Sequence, residues 1–228
     1  MAKKGNVRHI KSLSAPSYLN IHRKENKYTA KPMPGRHSLE RGIPLISFAR
    51  KIGVSNSSRY IKRVIKRGGI SVNGKTIKQT HYALGLNDNI EMKDAGKSYI
   101  IGINKGAQID IREGNGNQGR VCKVVQKYKT KGNKIMIRLH DGEVFKANDN
   151  GIGVNDSILI KGTDASAGKV LKLDVGRRCL VIDGIHVGAL GVVESIQKGS
   201  AISKATARIK SESGANFDTM LDNIMVVE

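Results

Sequence analysis

The chain has 228 residues, of which 40 are Lys or Arg and 19 are Asp or Glu, so its formal net charge is +21 at neutral pH. Like charge at this density repels itself unless an anionic partner neutralises it, so we expect nucleic acid or an anionic membrane to bind the chain. Hydrophobic residues make up 39% of the chain, which excludes a fully disordered polymer, and the lack of Trp together with 4% aromatic residues predicts aliphatic cores.

Targeting segments and paired cysteines are not evident in the sequence. Residues 1–6 have no apolar stretch behind their two lysines, and no run approaches the roughly 20 apolar residues of a membrane-spanning helix. We therefore expect a soluble, intracellular protein with no membrane partner. Cys122 and Cys179 do not form a CxxC pair, so reduced thiols are expected and neither a disulfide framework nor a zinc site is predicted.

The first segment, residues 1–40, is predicted to be a basic extension without a core of its own. Only Glu25 and Glu40 are acidic before His81, although nearly half of all Lys and Arg residues precede that position. Such a segment buries too little apolar surface to fold alone, so we expect it to become ordered against the neighbouring domain or a polyanion. Its basic residues are Lys3, Lys4, Arg8, Lys11, Arg23, Lys24, Lys27, Lys31 and Arg36.

Two helices are predicted next. Pro44 suits the first turn of a helix that ends at Gly53, because apolar residues recur between them at helical spacing. The second helix begins after the capping residues 55–57 and ends at Gly68 and Gly69. Its apolar positions are Tyr60, Ile61, Val64 and Ile65. The cations on its opposite face are Arg59, Lys62, Arg63, Lys66 and Arg67.

A tight hairpin is predicted directly after the second helix. Residues 70–72 form a short strand, Asn73-Gly74 suits the two positive φ angles of a type I′ turn, and residues 75–78 return antiparallel. The turn directs Lys75 and Lys78 toward the helix cations. The sequence therefore predicts one continuous basic surface that could follow a phosphate backbone.

The remainder of the chain predicts β structure. Short segments with β-branched residues alternate with glycine-containing turns, so we expect a central antiparallel β domain over residues 106–175. Glycines spaced between apolar residues from 177 to 196 predict a small barrel, completed by strands at 205–210 and 221–227. The strands predicted before the barrel are 98–103, 107–111, 121–125, 134–140, 157–161 and 170–173.

Two motifs invite an enzymatic interpretation. Residues 114–119 fit GxGxxG, but the region lacks the repeating βαβ units of a dinucleotide fold, and Asn, Gln and Gly clusters are ordinary in loops. Residues 138–141 are similar to the Arg-Leu-Asp signature of pseudouridine synthases, although His140 breaks the spacing. Asp141-Gly142 between two apolar segments is more typical of a hairpin turn. No catalytic set or metal spacing is evident, so we predict no catalysis, no cofactor and no metal.

Short motifs also occur along the chain in a characteristic order. They are His9-Ile10-Lys11, Ala15-Pro16, Lys31-Pro32, Pro34-Gly35-Arg36-His37, Ile43-Pro44-Leu45, Val72-Asn73-Gly74-Lys75, residues 82–90, Leu139-His140-Asp141-Gly142, Val154-Asn155-Asp156 and residues 223–227. Each motif is weak alone, but their order resembles that of the ribosomal protein S4e family of archaeal and eukaryotic small subunits. The resemblance covers essentially the whole chain, and the short length is similar to that of archaeal members.

The resemblance implies an α+β multidomain fold in which residues 41–105 form an S4-like RNA-binding module and residues 176–228 form a KOW-type (SH3-like) β-barrel. It also implies small-subunit ribosomal RNA and neighbouring small-subunit proteins as partners, and a cytoplasmic location in the small ribosomal subunit. A small-molecule substrate is not expected.

We therefore expect a structural constituent of the small ribosomal subunit that binds ribosomal RNA and supports assembly and translation. Two alternatives stay open, namely an RNA-modifying enzyme with a catalytic carboxylate such as Asp141, and a KOW-type factor that binds a polymerase. The residues expected to contact RNA are Lys3, Lys4, Arg8, Lys11, Arg23, Lys24, Lys27, Arg36, His37, Arg50, Lys51, Arg59, Lys62, Arg63, Lys66, Arg67, Lys75 and Lys78.

Overall fold

The computed structural model describes residues 7–114, 119–147, 151–162, 168–200, 203–212 and 214–227. Within these ranges the chain has two α-helices, α1 (Leu45–Lys51) and α2 (Ser58–Arg67), and all other regular structure is β-strand or short 3-10 turn. The predicted α+β class is confirmed, because the described residues contain both helices and sheets. Two compact units are present, one within residues 1–102 and 108–116 and the other within residues 103–107 and 117–228.

The strands of the first unit are β1 (His9–Lys11), β2 (Tyr28–Ala30), β3 (Ile43–Pro44), β4 (Ile70–Val72), β5 (Lys75–Thr76), β6 (Ala83–Leu84), β7 (Asn89–Met92), β8 (Lys97–Ile103) and β9 (Ile109–Gly114). Its main sheet has the order β5-β4-β7-β8-β9. Phe48 on α1 contacts Tyr99 on β8 edge to face, with ring centroids 6.0 Å apart, so α1 packs against this sheet. Ile61 and Ile65 of α2 are fully buried.

Both predicted helices and the hairpin that follows them are confirmed. Gly68 caps α2 in the left-handed conformation, and α1 ends two residues before Gly53. Asn73 and Gly74 have φ angles of 50° and 77°, as a type I′ turn requires. The returning strand β5 is shorter than expected and ends at Thr76, although the Ile77 amide still donates to the Ile70 carbonyl at 3.1 Å.

The described part of the extension, from residue 7 onward, contains regular structure. Strands β1 and β2 pair antiparallel, and the 3-10 turn Ser17–Leu19 between them buries Tyr18 and Leu19. The Met33 amide donates to the carbonyl of His81 at 2.7 Å, and the Lys51 Nζ donates to the carbonyl of Leu19 at 2.6 Å. The extension is thus fixed by its neighbours in the first unit rather than by a large core.

The second unit contains the strands β10 (Arg120–Thr130), β11 (Lys134–Leu139), β12 (Val144–Lys146), β13 (Ser157–Ile160), β14 (Lys169–Leu171), β15 (Arg178–Val181), β16 (Leu190–Gln197), β17 (Thr206–Ser211), β18 (Asn216–Met220) and β19 (Ile224–Val226). They form two antiparallel sheets with the orders β12-β11-β10-β13-β14 and β18-β17-β16-β15-β19.

The first of these sheets surrounds an aliphatic core that includes Cys122, Val124 and Ile137. Strand β10 is 11 residues long, about twice the predicted segment, because its second half continues beyond β13 in a ribbon with β11 and β12. Residues 115–118 of the GxGxxG motif lie outside the described residues. The residues after the motif form strand β10 rather than the helix that a dinucleotide site requires.

The last sheet has its own core, to which Cys179, Val193 and Ile209 belong. Strand β18, in which exposed and half-buried residues alternate, was not predicted from the sequence. A register shift between Val193 and Ser195 marks a bulge in β16, which bends the strand. Cys122 and Cys179 are both buried.

Within the described ranges, neither helix is long and apolar enough to span a bilayer.

Candidate nucleic-acid interface

The cations of α2 form one continuous arc of the helix. Arg59, Lys62, Arg63, Lys66 and Arg67 are all exposed, whereas Ile61 and Ile65 face the core. At 100° per residue the five cations cover about 140° of the helix surface. No acidic side chain occurs in α2, so the arc has a single sign of charge. Such an arc suits a row of phosphates.

Tyr60 corrects one detail of the sequence analysis. It was assigned to the apolar face of α2, but it is 51% exposed. Tyr60 lies at the border of the arc, three residues before Arg63, and residues at this spacing are neighbours on a helix surface. An aromatic ring beside cations can stack on an unpaired base, so Tyr60 is an interface candidate that its apolar spacing concealed.

Arg50 and Lys51 at the end of α1 have different positions. The Arg50 guanidinium donates to the Ser58 hydroxyl at 2.5 Å, which ties the ends of the two helices together at an exposed position. The Lys51 ammonium donates to the Leu19 carbonyl, and partial burial lowers its pKa. We conclude that Lys51 anchors the extension to α1.

The other predicted cations are distributed over the hairpin and the extension. Lys75 and Lys78 are exposed. Arg8, Lys11, Arg23, Lys24 and Lys27 are also exposed, and Lys27 lies over the ring of Tyr28 at 5.6 Å from its centroid. Lys3 and Lys4 lie outside the described residues.

His37, which was expected from the sequence to contact RNA, lies in the interior. Its ring is buried, and Nε2 donates to Oδ2 of the buried Asp88 at 2.9 Å. The same carboxylate accepts bonds from the Asn73 side-chain amide at 2.7 Å and from the Gly85 amide at 2.9 Å. Arg36 lies 4.0 Å from it. This position does not support RNA contact by His37, because the imidazole faces a carboxylate in the interior.

The Asp88 cluster, which we define as Arg36, His37, Asn73, Gly85 and Asp88, joins the extension to the β4–β5 turn. Burial raises the pKa of the Asp88 carboxyl, but the hydrogen bond with His37, the charges of His37 and Arg36 and the Gly85 amide outweigh burial and hold the pKa well below its usual range. A Cβ on Gly85 would lie 2.2 Å from His37 Nδ1, so glycine is needed for the ring to approach.

The carboxylate considered for catalysis, Asp141, is part of a buried ion pair. Asp141 is 1% exposed, and Arg120 donates to its Oδ2 at 2.5 Å and also to Glu143. Strands β11 and β12 pair on either side of Asp141-Gly142, and Gly142 has a φ of 80°, so the predicted hairpin turn is confirmed. Among the described residues, no group of three or more His, Cys, Asp or Glu side chains could hold a metal ion.

Three family models match successive parts of the chain: the RS4NT (NUC023) domain at residues 4–40, the S4 domain at 43–90 and the ribosomal family S4e at 96–165. The small ribosomal subunit protein eS4 of Staphylothermus marinus is 31% identical over 244 residues, covering 100% of this chain and 94% of that protein. The small ribosomal subunit protein eS4 of Methanocella arvoryzae is 30% identical over 220 residues, covering 96% of this chain and 93% of that protein. The chain belongs to the eS4 family.

The eS4 fold is also similar to a solved structure. The crystal structure of the 30S ribosomal protein S4e from Thermoplasma acidophilum covers 82% of this chain and 95% of its own, with a TM-score of 0.69 and 25% identity. The predicted family and its archaeal character are therefore confirmed. The part of this eS4 chain that matches the S4 domain contains α1, the β4–β5 hairpin and α2, and α2 carries the arc of cations.

Proposed function

We propose that the chain is a structural constituent of the small ribosomal subunit, where it binds ribosomal RNA and supports assembly and translation. The observation that carries this proposal is the similarity to small-subunit eS4 proteins over 96% or more of the chain. The charge of the chain supports the same function, because an excess of 21 positive charges needs a polyanion to offset its repulsion. The proteins of the small subunit that surround it are proposed as further partners, and the cytoplasm as its location.

RNA binding would proceed through shape and charge rather than through base sequence. Arg and Lys neutralise phosphates and release counterions, and the extension supplies cations that reach beyond the folded module. Tyr60 would add stacking at the border of the α2 arc. The proposed contacts are Arg8, Lys11, Arg23, Lys24, Lys27, Arg50, Arg59, Tyr60, Lys62, Arg63, Lys66, Arg67, Lys75 and Lys78.

We further propose the four segments that the sequence indicated, namely 1–40, 41–105, 106–175 and 176–228, and a KOW-type barrel for the last of them. Its five antiparallel strands and the bulge in β16 support a small curved sheet of this kind. A non-catalytic role is proposed as well. The carboxylate named for RNA modification, Asp141, is buried against Arg120 and cannot reach a substrate without breaking that ion pair.

The proposal is tested by sedimentation of cell extract through sucrose gradients at moderate and at high salt. We expect the protein to co-migrate with the small subunit under both conditions, because an integral constituent is held by many phosphate contacts at once. Protein that stays at the top of both gradients would refute the proposal. Recovery of a polymerase without ribosomal subunits in a pull-down would favour the transcription-factor alternative instead.

A further inference from the structure

We propose that the outer face of the β10–β11–β12 ribbon is a second RNA site, which stacks unpaired bases on Tyr128 and holds their phosphates with Arg138, Lys146 and Lys134. The site would extend the RNA-binding function proposed above, and it rests on that function. It lies in the second unit of the chain, where the sequence analysis predicted no RNA contact.

The register of the three strands defines the face. Residues directly opposite one another in an antiparallel pair share a face, and so do alternate residues along a strand. Gln126 pairs with Arg138, which pairs with Val144, and Tyr128 pairs with Met136, which pairs with Lys146. A third row consists of Thr130 and Lys134. All of these residues are exposed except Met136, which is half-buried.

The opposite face of the ribbon packs against the core. Ile137 is fully buried, and Ile135 and Phe145 pack against the same apolar cluster. The alternation of buried and exposed side chains fixes which face of the ribbon points outward, because a shift of one residue in the strand register would expose the apolar cluster. Tyr128 therefore points outward as a consequence of register, although its ring is apolar.

The charges on the outer face have a single sign. Strands β10, β11 and β12 contain no Asp or Glu. Arg138, Lys146 and Lys134 have no acidic partner among the residues that the structure describes. The last sheet contrasts with this pattern, because there Arg178 pairs with Glu212 and Arg208 pairs with Asp218. A group of cations on a sheet without acidic partners attracts an anionic ligand.

The exposed ring of Tyr128, in the middle of the face, favours single-stranded RNA over other anionic ligands. Tyr128 is 36% exposed, and its row neighbours are Met136 and Lys146. Sheets that bind single-stranded nucleic acid combine an exposed ring for base stacking with cations for the backbone. A duplex hides the faces of its bases, and an acidic peptide has no bases, so neither would use the ring in this way.

The chain contains no Trp, so Tyr128→Trp places a single fluorescent reporter on the face without changing its charge. The full-length variant is titrated with an oligouridine of about 12 nucleotides, while anisotropy of the labelled RNA follows total binding. We expect the tryptophan emission to fall and to saturate with RNA. A matched variant, Val192→Trp, reports from an exposed position of β16 between Arg178 and Lys210, and its emission should change little.

Charge variants in the Tyr128→Trp background test the phosphate contacts. Replacing Arg138 and Lys146 together by Gln should lower the slope of log affinity against log salt by about 1.4, since each contact with a single strand contributes about 0.7. The same change at Lys161 and Lys172, exposed residues after β13 and β14 at the other side of the sheet, should leave the slope unchanged.

Three results would overturn the proposed site. Emission from Tyr128→Trp that stays constant while anisotropy saturates would show that RNA binds elsewhere, and the proposed function would survive. Equal quenching by polyglutamate of the same charge would show that the face binds anions without reading bases. Absence of any RNA binding at low salt would refute the site and the proposed function together.

Discussion

At the scale of single residues, the titratable groups in the interior have opposite roles. Asp88 is stabilised in its charged form by four neighbours, so its burial is compensated. Lys123 is 2% exposed, and its ammonium donates to the Leu221 carbonyl at 2.7 Å. Burial lowers the pKa of Lys123 to about 8, against a smaller opposing effect of Asp222. The first group therefore stabilises the fold at neutral pH, whereas the charge of the second is a cost.

Removing the charge of Asp88 should be strongly destabilising. In Asp88→Asn the new amide would face donors from His37, Asn73 and Gly85, and breaking a buried ion pair costs about 3 kcal/mol. Urea unfolding at neutral pH measures the change in the free energy of unfolding. The control is Asp110→Asn, which removes an exposed partner of Arg112 and should cost less than about 1 kcal/mol. Equal losses in the two variants would mean that the Asp88 cluster does not stabilise the fold.

Because of Lys123, the free energy of unfolding should depend on pH in the alkaline range. Its pKa is about 8 in the folded chain and 10.5 without perturbation, so the unfolded chain binds more protons between these values. Stability contributed by Lys123 therefore rises with pH across this window, by up to about 3 kcal/mol. The free energy of unfolding should increase less in Lys123→Met than in the parent between about pH 7.5 and about pH 10. Lys129→Met, on the exposed part of β10, should behave like the parent. A parallel response in all three proteins would contradict the assignment.

At the scale of elements, α2 has a core face and, opposite it, the face that we propose binds RNA. Ile61 and Ile65 hold the helix in the core, and the cations follow because the helical period places them on the other side. The capping glycine Gly68 then turns the chain into β4. Interface and core are thus separable by substitution, since exposed cations contribute little to stability.

Charge reversal on α2 should weaken RNA binding without unfolding the chain. Arg63→Glu combined with Lys66→Glu removes two proposed phosphate contacts, so the salt slope for binding to duplex-containing ribosomal RNA should fall by about 1.8. Filter binding across a salt series measures the slope, and circular dichroism verifies the fold. The matched variant reverses Lys105 and Lys198, which are exposed residues of the second unit. An unchanged slope for the α2 variant would show that this helix face does not contact phosphates.

At the scale of the whole molecule, charge is distributed unevenly between the termini. Nearly half of the Lys and Arg residues precede His81, where only two acidic residues occur. The later part has acidic partners, such as Glu212 for Arg178 and Asp218 for Arg208. The amino-terminal third therefore depends more than the remainder on an external polyanion for neutralisation.

Salt should affect the stability and the binding of this protein in opposite directions. Raising NaCl from about 50 mM to about 500 mM screens the repulsion among cations, so the free chain should gain about 1 kcal/mol, or roughly 3 °C in Tm. The same change should weaken RNA binding, because each released counterion gains less entropy when the surrounding salt is more concentrated. Calorimetry of the free chain and anisotropy with RNA measure the two effects. A fall in Tm over this range of salt would indicate that repulsion among the cations does not limit the stability of the free chain.

Local signals in the sequence determined the parts of the fold that depend on neighbouring residues. Helical spacing predicted α1 and α2, and Asn73-Gly74 predicted the hairpin, because each signal acts through backbone conformation within a few residues. Charge counts indicated a polyanion partner because net charge follows from composition and does not depend on folding. The order of short motifs indicated the family.

Only the tertiary structure decided which side chains meet. His37 and Asp88 are 51 residues apart in sequence, so no local pattern could reveal that the histidine is buried against this carboxylate. Tyr60 shares its spacing with core residues, yet it lies at the border of the buried stripe and is exposed. The outer face of β10, β11 and β12 likewise depends on strand register, which is set by the burial of Ile137 and its neighbours. Long-range packing, not propensity, therefore distinguishes the residues that hold this protein together from those that are open to a partner.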